Sequence, residues 1–108
     1  MPLRDRMIMR EEPFAPVAPL TPFRDLEEGL AIANSTEFGL ASYVFTRDLR
    51  TAFLASEGIE AGMVGVNNMA IATAEAPLGG VKHSGFGREG GSEGVLDYTV
   101  AKYVNMMI

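Results

Sequence analysis

Apolar and polar positions along the chain switch between two periods, and the switches mark the elements. Residues 17–23 form a short apolar run interrupted by Pro19 and Pro22. Proline has no amide to give a ladder, so this run permits a strand only of a compromised, edge-like kind. Asp25-Leu26-Glu27-Glu28 reads as a capping box, in which Asp25 accepts from the first helical amides and Glu28 reaches back. Leu26, Leu30 and Ala33 continue at helical spacing, which predicts a helix stopping near Asn34 and Ser35, with Gly39 free to take a positive-φ turn. Residues 40–46 are compact, apolar and β-branched, the pattern of a buried strand. Asp48 then caps a second helix with Leu49, Ala52, Phe53 and Ser56 on one face and Gly58 or Gly62 at its end. Residues 63–67 are the next apolar run.

Strand, helix, strand, helix, strand in that order predicts an α/β fold with a partial parallel sheet of βαβαβ order. Three strands and two helices leave much of such a sheet uncovered. Residues 68–91 then lose both periods, and seven glycines fall between Gly79 and Gly94. A loop of this length signals function or docking against something else. Ser92 caps a short helix through Asp97, and residues 99–108 read as a β-like tail with Val100, Val104, Met106 and Ile108 on one side and Lys102 interrupting them. The tail pairs either within this chain's own sheet or with another subunit, and residue types leave the two readings even.

Composition narrows the function classes. The 108 residues are 47% hydrophobic and 21% charged, with mean hydropathy +0.11, which is globular rather than disordered. Net charge is −5, and the densest cationic stretch, Arg4-Asp5-Arg6 with Arg10, is interrupted by acid. Attraction to nucleic acid or anionic lipid is therefore not expected. With no cysteine there is no disulfide and no thiolate. No apolar run approaches the roughly 18 residues of a membrane span, and no signal-peptide core is present. These features together predict a cytoplasmic protein. Asn34-Ser35-Thr36 fits a glycosylation sequon, which has no use without secretion.

Gly85-Phe86-Gly87-Arg88-Glu89-Gly90 matches G-x-G-x-x-G, but His83-Ser84 precede it where a dinucleotide fingerprint needs a strand. A tight, backbone-driven loop explains it better. His83 is the one histidine, and without cysteine or an acidic ligand cluster it makes no metal site. Ser84 beside it forms no nucleophile–base–orienter set. Glu11 and Glu12 before Pro13-Phe14 read as a solvated acidic pair ahead of a turn; an acid beside an aromatic can also hold a ribose.

Several blocks, in order, resemble the C-terminal quarter of the NAD(P)-dependent aldehyde dehydrogenase superfamily. They are Glu11-Glu12-Pro13-Phe14-Ala15-Pro16, Ala33-Asn34-Ser35-Thr36-Glu37-Phe38-Gly39-Leu40-Ala41, Val44-Phe45-Thr46-Arg47-Asp48-Leu49 and Gly62-Met63-Val64-Gly65-Val66-Asn67. Ala76-Pro77-Leu78-Gly79-Gly80-Val81-Lys82-His83-Ser84-Gly85, Gly87-Arg88-Glu89-Gly90 and residues 98–103 complete the series. Within that superfamily the chain is most similar to the succinate-semialdehyde dehydrogenase group.

The resemblance implies roles by position. Glu12 stands where the family's acid binds the nicotinamide ribose of NAD or NADP, and Phe14 where a phenylalanine lies near the nicotinamide. Ala15 replaces the motif's glycine. Leu78 stands in the loop lining the substrate pocket, at a position where phenylalanine is common. Residues 1–98 would be a partial catalytic domain, and residues 99–108 a C-terminal oligomerisation strand adding to a neighbouring subunit. Homo-oligomerisation, or association with the rest of the enzyme, follows. The family oxidises an aldehyde through a cysteine thiohemiacetal, with a glutamate base and an asparagine at the oxyanion. Those groups and the dinucleotide domain would precede Met1. The chain itself supplies no catalytic residue, and the isolated 108 residues are expected to be inactive. The alternative is a non-enzymatic interaction module that pairs through its tail.

Overall fold

The computed structural model describes residues 7–108. Arg4-Asp5-Arg6 and the first part of the proline-containing lead-in lie outside them. The described chain begins with one 3-10 turn over Met7–Met9. Helix α1 (Leu26–Asn34) follows, then strands β1 (Phe38–Gly39) and β2 (Ala41–Val44). Helix α2 (Leu49–Gly58), strand β3 (Met63–Val66), strand β4 (Val81–Lys82) and helix α3 (Glu93–Leu96) complete the order.

Both long helices begin where side-chain chemistry starts them. Asp25 accepts from the Glu28 amide at 2.9 Å, satisfying one of the amides that a first turn leaves without an intrahelical partner. Glu28 reaches back one residue further than a simple box would, accepting from both the amide and Nε of Arg24 at 2.9 Å. Asp48 does the same for α2, accepting from the Thr51 amide at 2.7 Å and the Thr51 hydroxyl at 2.6 Å. Those two Thr51 bonds, the hydroxyl's the larger effect, hold the Asp48 carboxyl below its ordinary range.

β2 and β3 pair in parallel, with Ala41 opposite Met63 and Val44 opposite Val66. A parallel pair cannot be joined by a hairpin, and α2 is the crossover that makes this a βαβ unit. β1 pairs antiparallel with β4, Phe38 opposite Lys82. The structure thus has one parallel pair and one short antiparallel pair rather than a three-stranded βαβαβ sheet. Residues 17–23 are not a strand. Pro19 and Pro22 cannot donate, and among the described residues no strand pairs with this run. Nor do residues 99–108 form a strand, and their side chains are exposed. A strand is defined by its partner, and none of the described residues offers this tail one. Gly39 also differs from expectation. It is not in the left-handed region but inside β1, where an added Cβ would lie 2.6 Å from the Glu60 carbonyl oxygen. Glycine is required there by closeness, not by φ.

Ala55, 2% exposed, is the one buried apolar side chain among the described residues. It lies on α2, which packs against α1, β2 and β3. Of the face read from the sequence, Ala52 and Ser56 are half-buried, but Leu49 and Phe53 remain 71% and 64% exposed. α2 is therefore apolar on two sides, as a helix covered from both directions would be. The whole surface points the same way. Accessible area is 9033 Å², against about 5,800 Å² for a compact monomer of this mass. The radius of gyration is 18.1 Å, against about 13 Å for a compact domain of this length.

Candidate functional site

Glu11 and Glu12 follow the first turn, which closes with the Glu11 amide donating to the Met7 carbonyl at 2.9 Å. Phe14 is the centre of a three-residue γ-turn, closed by the Ala15 amide on the Pro13 carbonyl at 2.9 Å. A second such turn follows, from the Val17 amide to the Ala15 carbonyl at 2.8 Å. Phe14 is 97% exposed. Glu12 helps line an open cleft of about 230 Å³ with Met9, Pro13, Pro19, Thr36 and Phe38. Phe14 does not line that cleft; an exposed carboxylate can accept from hydroxyls, and an exposed ring can pack on a planar group.

The second region begins at the end of β3. Asn67 sits at φ 53°, a conformation asparagine tolerates better than most residues. Its side-chain amide accepts from the Thr46 amide and donates to the Thr46 carbonyl, both at 2.9 Å. The parallel ladder is thus prolonged by one side chain after the backbone has turned away. Residues 73–76 form a turn, with the Ala76 amide on the Thr73 carbonyl at 3.3 Å. Leu78 then pairs antiparallel with Glu89 through two backbone bonds of 2.7 Å. Leu78 is half-buried and lines two clefts. One, of about 270 Å³, includes Ala72, Thr73, Ala74 and Glu89; the other, of about 300 Å³, includes Ser84, Arg88, Asp97 and Tyr98. Glu12 and Leu78 therefore stand on different clefts.

The glycine-rich segment is a loop, as its sequence context indicated. Gly85, Gly87, Gly90 and Gly91 all have positive φ, and α3, only four residues long, starts beyond them at Glu93. Ser92 occupies its N-cap but makes no side-chain capping bond. Arg88 ties the segment down. Its amide donates to Asp97 Oδ2 at 2.6 Å, and its guanidinium donates to the Gly80 and Gly87 carbonyls at 3.0 and 2.6 Å. Ser84 is engaged in the fold, its hydroxyl accepting from the Gly39 amide at 2.9 Å. His83 is an exposed loop side chain with Nδ1 3.4 Å from Glu37 Oε2.

Two polar residues whose role pattern reading missed hold these loops to the helices. Asn34 donates to the Gly58 carbonyl at 2.7 Å and accepts from the Glu60 amide at 2.9 Å. Lys82, at φ 55°, donates through Nζ to the carbonyls of Asn34 and Thr36 at 2.9 and 3.2 Å. The same ammonium pairs with Glu60 at 2.7 Å. A cation at the carbonyl end of α1 is favourable, since that end is partially negative. The available signal was an asparagine in a last helical turn and a lysine inside an apolar block.

The α/β unit, its pinned loop and a surface larger than its mass warrants leave many large apolar side chains uncovered. The aldehyde dehydrogenase family matches residues 3–104, and the chain belongs to that family. The chain is 48% identical over 102 residues to the mitochondrial succinate-semialdehyde dehydrogenase of Oryza sativa subsp. japonica, covering 94% of this chain and 19% of the relative. The solved succinate-semialdehyde dehydrogenase of Burkholderia pseudomallei superposes with TM-score 0.88 at 48% identity, over 94% of this chain and 21% of that one. A betaine aldehyde dehydrogenase of Staphylococcus aureus, solved with NAD+, superposes with TM-score 0.87 at 38% identity, over 91% and 20%. The chain spans about one fifth of the length of these relatives. No helix of the described residues is long and apolar enough to cross a membrane.

Proposed function

We propose that these 108 residues act as one part of an NAD(P)-dependent aldehyde dehydrogenase that oxidises succinate semialdehyde to the carboxylate. The observation that carries this reading is the combination of a one-fifth match to such enzymes with about 3,000 Å² of surface beyond a compact monomer's. The remainder of the enzyme covers that surface.

In this reading residues 1–98 belong to the catalytic domain. Glu12 accepts from the ribose hydroxyls next to the nicotinamide, and Phe14 packs by the ring. The nicotinamide supplies the hydride acceptor. Leu78 forms an aliphatic wall of the aldehyde pocket, and residues 99–108 add a strand to a neighbouring subunit. The exposed, unpaired state of that tail favours this use. No cysteine is present, so the nucleophile must come from elsewhere in the enzyme. The isolated chain therefore binds no aldehyde covalently and produces no NAD(P)H.

A hybrid tests the proposal. The chain takes the place of the segment it matches in the Burkholderia enzyme, and NAD(P)H formation from succinate semialdehyde is followed. The hybrid is expected to be active and the chain alone inactive. Glu12→Gln in the hybrid is expected to raise the cofactor KM about 10-fold, the loss of one charge-assisted hydrogen bond. NAD(P)H formation by the chain alone, or an inactive but folded hybrid, contradicts the reading.

A further inference from the structure

The glycine-rich segment 85–91 is left without a ligand by the function just described, since the strand ahead of it, β4, has only two residues and the helix beyond it, α3, only four. Its backbone does something else. The Leu78–Glu89 bridge, with both bonds at 2.7 Å, fixes the C-terminal end of the pocket loop. Further along, the Gly91 amide donates to the Ala74 carbonyl at 3.0 Å, which fixes the turn over residues 73–76. Between these two ties the segment passes so close under the turn that no side chain fits. A Cβ at Gly90 would lie 2.8 Å from the Ala76 carbonyl oxygen and 3.2 Å from that of Ala74. At Gly91 it would press on the turn's backbone at 3.1 Å from the Pro77 nitrogen and 3.3 Å from the Ala76 carbonyl carbon, while the Glu93 carboxylate, 2.9 Å away, can swing aside. Both glycines also need positive φ, 69° and 58°, which a residue with a Cβ adopts at a cost. Behind them Arg88 anchors the segment to Asp97 and Gly80, so displacement falls on the turn rather than on the segment.

We propose that Gly90 and Gly91 are positioning residues that set the height of the 73–78 loop, and with it the depth of the aldehyde pocket. This rests on the reading that this loop lines such a pocket. A side chain at either position lifts Thr73, Ala74 and Leu78 together. The pocket's fit to the aldehyde changes, while the cofactor corner at Glu12, which stands on a different cleft, does not.

Gly90→Ala is the test, with Gly85→Ala as its control. Gly85 also has positive φ, 127°, but an added Cβ there meets nothing within 4 Å. The control therefore carries a backbone strain larger than that at Gly90, without the contact. Amide hydrogen exchange on the full chain is the first readout. Gly90→Ala is expected to lower protection at Leu78 and Gly91 by about 10-fold or more while Met63 and Asn67 keep theirs. Gly85→Ala is expected to leave Leu78 and Gly91 protected. In the hybrid enzyme, Gly90→Ala is expected to raise the aldehyde KM about 10-fold, with kcat within about 3-fold and the cofactor KM unchanged. Unchanged protection at Leu78 and Gly91, equal effects of the two substitutions, or loss of protection across the whole chain overturns the proposal. A hybrid inactive before any glycine is changed counts against the aldehyde dehydrogenase function alone, and hydrogen exchange then decides the positioning role.

Discussion

Asn34→Ala removes the direct side-chain link between α1 and the end of α2. The Asn34 side chain joins the last turn of α1 to the end of α2 through two bonds, to the Gly58 carbonyl at 2.7 Å and from the Glu60 amide at 2.9 Å. The first is half-buried and the second is exposed. A net hydrogen bond is worth about 0.5–1.5 kcal/mol, and the exposed one lies at the low end because water replaces it readily. The pair is thus worth about 1–2 kcal/mol. That converts to about a 5- to 30-fold change in a local opening equilibrium. The Lys82 ammonium binds the Asn34 backbone carbonyl rather than its side chain, so this contact survives the substitution. Amide hydrogen exchange isolates the effect. Glu60 loses its acceptor directly, and Gly62 and Met63, whose amides bond the Gly39 and Leu40 carbonyls, report the α2–β3 junction. These three amides are expected to exchange about 5- to 30-fold faster, with Leu78 and Glu89 unchanged. Unchanged exchange at Glu60 would refute the reasoning, since the link would then carry no stability.

Other perturbations test other joints. Thr51 holds the folded Asp48 carboxyl below its ordinary range, so its contribution is present above the unfolded value and lost as pH falls through the folded one. Helical circular dichroism is expected to drop at that acid limb, and Asp48→Ala to remove the limb. Gly62→Ala places a Cβ on the Gly79 carbonyl oxygen, and is expected to destabilise by about 1–3 kcal/mol in urea unfolding of the hybrid. Deleting residues 99–108 from the hybrid is expected to lower its assembly state in sedimentation, leaving smaller particles of unchanged secondary structure.

What the sequence made legible was local, and what it hid was relational. Asp25 and Asp48 cap their helices because a short acceptor three residues ahead of an amide needs no distant partner. Both helices therefore begin and end where the pattern put them, and β3 follows where its apolar run stands. Gly39 was misread because its need for a missing side chain comes from Glu60, 21 residues further along. Residues 17–23 and 99–108 carry strand-like residues, but a strand needs a neighbour that the described residues do not provide. Leu49 and Phe53 mark a true apolar face of α2, but the fold buries Ala55 and leaves those two exposed. Of the candidate site, Glu12, Phe14 and Leu78 were placed by resemblance to a family. Asn34, Asn67 and Lys82, which hold the loops, gave no periodic signal at all. Asn34 is legible in one dimension as a helix end and a sequon without use, whereas its helix-to-helix bridge is not.

The central claim is that these residues present a surface meant to be covered by the rest of an enzyme. Sedimentation and thermal unfolding of the isolated chain, taken together across dilution, test it most directly. Either self-association or a broad, weak transition is expected, because Ala55 is the one buried apolar side chain among the described residues. A dilute, compact monomer with a single sharp melting transition would contradict it.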